Sequence, residues 1–284
     1  MPLNPRVKPK SSEPDFLDSS AAVNRVTKAV IAVAGDTGRY FYQAFGAFLE
    51  ATIDSIYGRE WSIDEDLKPH VDRISEAYAM AVAECEPYTD ILGPVYMDLA
   101  HRGNQKFLGQ FFTPQNIADM MAMMTYSNDL YEERMAAGDP THLVRMIDPT
   151  CGSGVMMLSA LRHVHKQFGN EALAYTSVTG VDLDHYCAMV TTVQMVANNT
   201  IFGLQPGEIV VVNGNSLFPD KWWKPLLHAN HPRLDPVTVL SARDARRQDA
   251  VREAAVSAGV DQQVSETQDL DDAQVVLPRQ MGLF

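Results

Sequence analysis

The sequence predicts an α/β fold: a helical N-terminal region followed by a doubly wound, mostly parallel sheet. Three observations predict it. Apolar residues recur at three- and four-residue spacing from about Ala21 to Arg102. From Leu143 to Gly214 short apolar runs alternate with helical patterns, in the order strand, helix, strand, helix, strand. The composition is that of a globular chain, with 46% hydrophobic and 21% charged residues, and no fixed-period repeat competes with this reading.

Taken in order, residues 1–20 are rich in Pro, Ser and charge and read as a disordered arm. Residues 21–106 read as a helical domain of four or five helices. Val23, Val26, Val30, Phe41, Phe45, Phe48, Ile53 and Ile56 form one periodic series, and Leu67, Val71, Ile74, Ala77, Met80 and Val82 a second. Asp64 and Ser75 read as start signals, Gly58 and Gly93 as breaks. Residues 107–232 read as the sheet domain. Its strands are Leu143–Ile147, Thr176–Leu183 and Glu208–Gly214, and its helices are Val155–Gln167 and His185–Asn198. The run WWKPLL, with Pro225 inside it, reads as a poor strand. Residues 233–257 carry an Arg- and Ala-rich helix over Ser241–Ser257, and 258–284 a polar, acidic tail that turns apolar at its end.

The charge balance narrows the function. There are 23 basic and 36 acidic residues, a net charge of −13. This argues against coating nucleic acid through bulk positive charge, and leaves a local basic cleft or a partner that supplies the DNA contacts. Cys85, Cys151 and Cys187 form no C-x-x-C pair, which fits a reducing cytoplasm rather than a disulfide framework. No apolar run is long enough to span a bilayer, and the first residues lack a secretory core. His163-x-His165 and His228-x-x-His231 lack a third ligand, so no metal site is expected.

The chemistry concentrates at three strand tips. Asp148-Pro149-Thr150-Cys151-Gly152-Ser153-Gly154 lies between a strand and a helix. Gly152 and Gly154 let backbone approach a ligand, and Asp148 can accept hydrogen bonds from a cationic or hydroxyl-bearing group. The turn lacks the last glycine of a dinucleotide fingerprint and the lysine of a P-loop, and a plain tight turn is the blander reading. Cys151 reads as a small packed residue rather than a nucleophile. Asp182, about thirty residues on, ends the next strand and suits ribose hydroxyls. Asn215, after the third strand, can both donate to and accept from a base edge. Together they suit a nucleoside; singly, each could be a capping or turn residue.

The run Asp90–Leu217 resembles adenine-specific DNA methyltransferases, above all the modification subunits of type I restriction systems. The resemblance is carried by DILGPVYMDL (Asp90–Leu99), LGQFFTP (Leu108–Pro114), DPTCGSG, GVD (Gly180–Asp182) and NGNSL. The GQFFTP and DPTCGSG pair, about forty residues apart, is its specific part. It implies a Rossmann-like sheet that binds S-adenosylmethionine. By this resemblance Thr113 contacts the methionine carboxylate, and Phe111 or Phe112 lines the pocket. Asp148, Cys151, Gly152, Ser153 and Gly154 form the methionine loop, Asp182 holds the ribose, and Asn215 faces the adenine where the family usually has Asp.

The family's catalytic Asn-Pro-Pro-aromatic signature, at the tip of a fourth strand, is replaced here by Asn230-His231-Pro232-Arg233. Asn230 and Pro232 are the catalytic candidates; Arg233 stands where an aromatic ring would stack on the flipped adenine. Little chain remains for the family's further strands, so the sheet is expected to be truncated, with an open edge covered by another subunit, a second copy or the Ser241–Ser257 helix. Two functions follow. One is adenine-specific methyl transfer to DNA. The other is a catalytically inactive, cofactor-binding regulator, decoy or partner subunit. Gln280, Leu283 and Phe284, in the final QMGLF, resemble the peptide that binds the bacterial sliding clamp, with an apolar tail folded onto the body as the alternative.

Overall fold

The computed structural model describes residues 19–102, 111–126, 128–139, 141–218 and 222–231. The expectations for residues 1–18, for Pro232 and Arg233, for the Ser241–Ser257 helix and for Gln280, Leu283 and Phe284 lie outside the described residues.

Four helices come first: α1 (Ser19–Thr37), α2 (Phe41–Ile56), α3 (Lys68–Glu84) and α4 (Leu92–Arg102). Each buries one periodic face. Val26, Val30, Phe45, Phe48, Leu49, Ile74, Tyr78, Leu92 and Val95 are all buried in one core. Each such side chain is worth roughly 1.5–3 kcal/mol relative to exposure. The core does not stop at the helices. Met189, Val190, Val193 and Ala197 of α8 (His185–Phe202) belong to it, so the helical region is welded to a helix of the sheet layer. Ser75 starts nothing: it is buried inside α3 and its hydroxyl donates to the Val71 carbonyl. Gly93 sits in the first turn of α4 rather than breaking a helix, because it packs where no side chain fits.

The remaining elements are α5 (Gln115–Thr125), α6 (Asn128–Ala137), β1 (Val144–Asp148), α7 (Val155–Leu173), β2 (Thr176–Asp182), β3 (Glu208–Asn213) and β4 (Lys224–Asn230). The expected α/β class is what the structure shows, and three of its strands fall where the alternation placed them. Helix α7 runs further than expected, through a non-helical Gly169. Helix α8 is capped by Asp184, whose carboxylate accepts from the Tyr186 N–H.

Among the described residues the sheet has four strands in the order β1-β2-β3-β4. β1, β2 and β3 are parallel; β4 runs antiparallel to β3. WWKPLL was expected to be a poor strand, yet Lys224–Asn230 pairs along all of β3. Two physical reasons make this possible. The connection from Gly214 to Trp223 is 10 residues long, too short for the crossover a parallel neighbour needs. Pro225 lies on the edge strand opposite Val212, at a register shift, where its missing N–H costs no regular ladder bond.

The amino end of the sheet is stapled by one buried carboxylate. Glu208 opens β3; it pairs with Arg145 of β1, accepts a 2.6 Å hydrogen bond from Ser177 of β2, and faces His228 of β4 at 3.4 Å. Burial alone would raise its pKa, but the hydrogen bonds from His228 and Ser177 and the Arg145 charge outweigh it and bring it to about 2.

Candidate functional site

The carboxyl end is built differently. The parallel register sets Asp148 beside Gly180 and Asp182 beside Asn213, so three neighbouring strands end on one edge. The loop after β1 is drawn across to β2. The Cys151 N–H donates to the Val181 carbonyl at 2.9 Å, and the Gly152 N–H donates to Asp182 Oδ2 at 2.8 Å. The other carboxylate oxygen of Asp182 accepts from the Asp184 N–H at 2.8 Å. β3 joins from the far side. The Gly214 N–H donates to the Asp182 carbonyl at 2.8 Å, and the Asn213 amide donates to the carbonyls of Asp182 and Leu183. Asp182 is therefore the hub of all three tips.

Gly152 and Gly154 both have positive φ, 54° and 83°, which side chains rarely tolerate. A Cβ on Gly152 would stand 3.0 Å from the Phe112 ring, and one on Gly154 2.8 Å from Thr191. Thr191 of α8 also donates to the Gly152 carbonyl at 2.9 Å. The loop thus leads into α7 with its backbone pinned from two sides and bare of side chains at its glycines.

The expected site residues separate into two groups. Asp148, Gly152, Gly154 and Asp182 come together at this edge, with Asn215 just beyond the end of β3. Burial raises the Asp148 pKa, helped by the charge of Asp182 and opposed by the hydrogen bond from Thr150. Phe112 lies against Gly152 and stacks on Tyr96 at 5.5 Å between ring centroids. Thr113 is half-buried just ahead of α5. Phe111, 83% exposed, stands in solvent instead. Cys151 is buried, and its thiol is pushed up to about 12, chiefly by burial, so it stays protonated and unreactive. Ser153 turns away from the edge: it is buried, and its hydroxyl donates to Asp90. Asn215 spends its side-chain oxygen on the Leu217 N–H, leaving its amide N–H₂ as the end it can offer a ligand.

Asn230 is not at this edge. It pairs with Glu208, the first residue of β3, whereas Asp182 pairs with Asn213, the last. Five residue steps of strand separate them, roughly 16 Å. The sequence expectation of a fourth strand tip beside the glycine loop is not met, because the short connection makes β4 run backwards. Trp223, on that connection, donates to the Asn215 carbonyl at 3.1 Å and packs on Gly214.

Other residues of the edge escaped the sequence reading. Leu183 and Leu217, the latter 89% exposed, place bare apolar surface beside the β2 and β3 tips. Asn213 and Asp184 hold the acid tip in place; Asp184, two residues beyond the candidate acid, was visible in the sequence, whereas Asn213 reaches it only through the pairing of β2 with β3. A cavity of about 320 Å³ is lined by Phe41, Tyr42 and Phe45 of α2, Tyr96 of α4, Tyr186 of α8 and the Arg39 and Arg102 side chains; its Tyr96 is the ring that stacks on Phe112.

The N-6 DNA methylase family model matches residues 88–237. The methylase subunit of the type I restriction enzyme MpnII from Mycoplasma pneumoniae is 23% identical over 162 residues, 57% of this chain and 24% of that protein. The chain thus spans about a quarter of that curated relative's length. A class I S-adenosylmethionine-dependent methyltransferase of Listeria monocytogenes is 11% identical over 71% of this chain and 54% of its own, with a TM-score of 0.43. The methyltransferase subunit of a type I restriction-modification system from Streptococcus thermophilus is 18% identical over 80% of this chain and 44% of its own, with a TM-score of 0.34. The matched segment opens at the turn before α4, takes in the glycine loop and all three parallel strands, and runs past β4: over half its length, this chain belongs to the N-6 DNA methylase family.

Proposed function

We propose that the chain binds S-adenosylmethionine at the carboxyl ends of β1, β2 and β3 and serves the methylation of adenine in DNA. The observation that carries this is the bond from the Gly152 N–H to Asp182, which couples the bare glycine loop to an acid at the neighbouring strand tip. The donor set fits the cofactor. Asp182 keeps lone pairs on both oxygens for a ribose diol. Gly152 and Gly154 hold the loop at positive φ, so that main chain rather than side chains would meet the methionine portion, and Asp148 ends the neighbouring strand with a carboxyl suited to a cation. Leu183 and Leu217 offer apolar surface to an adenine ring, and the Asn215 amide can donate to a ring nitrogen. When bound, the cofactor supplies an electrophilic methyl group.

One observation favours a second reading, a family member that binds cofactor without completing the transfer itself. Asn230, the residue that would accept the target amine's hydrogen bonds, lies at the other end of the sheet. A partner subunit would then supply the amine acceptors and most of the DNA contacts, in keeping with a net charge of −13.

Titration of the purified chain with S-adenosylmethionine, followed by tritiated methyl incorporation into unmethylated DNA, tests both. Binding with incorporation supports the first reading. Binding without incorporation by the chain alone supports the second, and incorporation that returns when a complementing subunit is added assigns the missing amine acceptors to that subunit. Failure to bind cofactor removes both.

A further inference from the structure

Asp90 is a fully buried carboxylate that the cofactor reading leaves without a task. It lies in the turn before α4, far in sequence from the glycine loop, yet it is bonded directly to it. Its Oδ2 accepts from the Ser153 hydroxyl at 2.9 Å. Its Oδ1 accepts from the Gly93 N–H at 2.9 Å and from the Gln194 amide at 2.8 Å. The same Gln194 nitrogen donates to the Ser153 carbonyl at 2.9 Å, and its oxygen accepts from the N–H groups of Ile91 and Leu92. Ser153 is thereby gripped at side chain and backbone, between the two positive-φ glycines whose geometry the cofactor would require.

The grip is anchored from every side. The Asp90 N–H donates to Gln115 of α5 at 2.8 Å. The preceding Tyr88 has φ +63°, a conformation that costs energy in a non-glycine residue. It is held there by four partners. Its N–H donates to Asn198, its hydroxyl donates to Asn199, and its carbonyl accepts from Gln115 and Arg162. Gly93 admits no side chain: a Cβ there would sit 2.5 and 2.7 Å from the Asp90 oxygens and 2.8 Å from the Ser153 Cβ. Plain packing would be met by apolar residues, since a buried carboxylate costs free energy unless fully bonded. What the polar cluster adds is direction: it fixes which way the Ser153 hydroxyl and carbonyl face.

We infer that Asp90, acting through Ser153 and Gln194, is the positioning residue that sets the glycine loop in its cofactor-ready shape without touching the ligand. This rests on the cofactor reading of the loop, and the test keeps the two apart. In the full chain, Asp90→Ala, Ser153→Ala and the double variant are compared by S-adenosylmethionine titration. Amide hydrogen exchange over residues 150–155 without ligand and thermal melting complete the comparison. Each single variant is expected to weaken cofactor binding about tenfold and to speed exchange in that segment by a similar factor. The double variant adds little to Asp90→Ala, since both act along one path. Ser153→Ala removes a single hydroxyl and should melt within about 3 °C of the parent, so it keeps the test alive if Asp90→Ala does not fold. Variants that melt lower yet keep parental affinity and parental exchange at 150–155 would overturn the inference, leaving Asp90 a mere packing residue. If the parent chain binds no cofactor while exchange still rises in the variants, the cofactor reading falls and the loop-setting role stands.

Discussion

The two ends of the sheet are built on opposite plans. At the amino end, Glu208 draws Arg145, Ser177 and His228 onto itself, so all four strands share one satisfied charge. At the carboxyl end, the Asp182 carboxylate accepts from backbone N–H groups among the described residues, with the half-buried Asp148 on the neighbouring strand and the exposed Leu183 and Leu217 beside it. The first arrangement consumes its polar groups in holding the strands together. The second leaves carboxylate lone pairs that the proposed cofactor reading assigns to a ribose diol. A carboxylate in a sheet is informative only with its partners: side-chain cations mark a staple, and loop N–H groups beside open space mark a site.

Variants should pull the two ends apart, the largest effect coming first. Glu208→Ala leaves the Ser177 hydroxyl buried and deprives Arg145 and His228 of their acid. It should destabilise the fold by about 3 kcal/mol, the low end for a broken buried pair because Arg145 is partly exposed. Chemical denaturation measures the loss, while the cofactor affinity of the folded fraction should stay within about twofold of the parent. The same group predicts the acid limit. Its folded pKa is about 2, below the ordinary glutamate value of 4.5. Its contribution is therefore complete above about pH 4.5 and is lost as pH falls towards 2, a decline of roughly 3 kcal/mol. In Glu208→Gln that part of the pH–stability curve should flatten. A curve of unchanged slope in the variant would show that the staple carries no such energy.

At the other end the signs reverse. Asp182→Ala should weaken S-adenosylmethionine binding tenfold to a hundredfold, roughly 1.4–2.8 kcal/mol. It should cost less than Glu208→Ala in stability. Gly152→Val should act similarly, since a β-branched residue is strained at φ +54° and its Cβ would press on the Phe112 ring at 3.0 Å. Calorimetric titration alongside thermal melting separates the two quantities. Equal losses of stability at both ends, with affinity untouched, would erase the contrast.

The same contrast explains what was legible beforehand. β1, α7, β2, α8 and β3 announce themselves through local periodicity, and the strand tips through a glycine turn and acids that any chain reading meets in order. Asp90 gave no such sign, because its meaning lies in Ser153 and Gln194, 63 and 104 residues away. Ser75 looked like a cap because hydroxyl residues favour helix starts, but a hydroxyl can bond the carbonyl one turn back and stay inside the helix. The partner and direction of β4 depend on the length of the connection before it and on which edge lies open, and neither is written in Lys224–Asn230 itself.

The smallest effect is predicted for Asn230→Ala, and it is the sharpest on mechanism. The residue sits beside the Glu208 staple, and its side-chain oxygen is buried with no hydrogen-bond partner among the described residues. Removing an acceptor that makes no bond relieves a desolvation cost while giving up some packing, so the change in stability should stay within about 1 kcal/mol. Cofactor affinity, read roughly 16 Å away along the sheet, should not move. If Asn230 instead came to the cofactor edge to hold a target amine, the variant would bind S-adenosylmethionine normally and lose methyl incorporation altogether. That result would require β4 to leave its antiparallel place on β3, and with it His228 to leave Glu208. A variant silent in binding, stability and incorporation keeps Asn230 with the staple, and assigns the amine acceptors to another residue or another subunit.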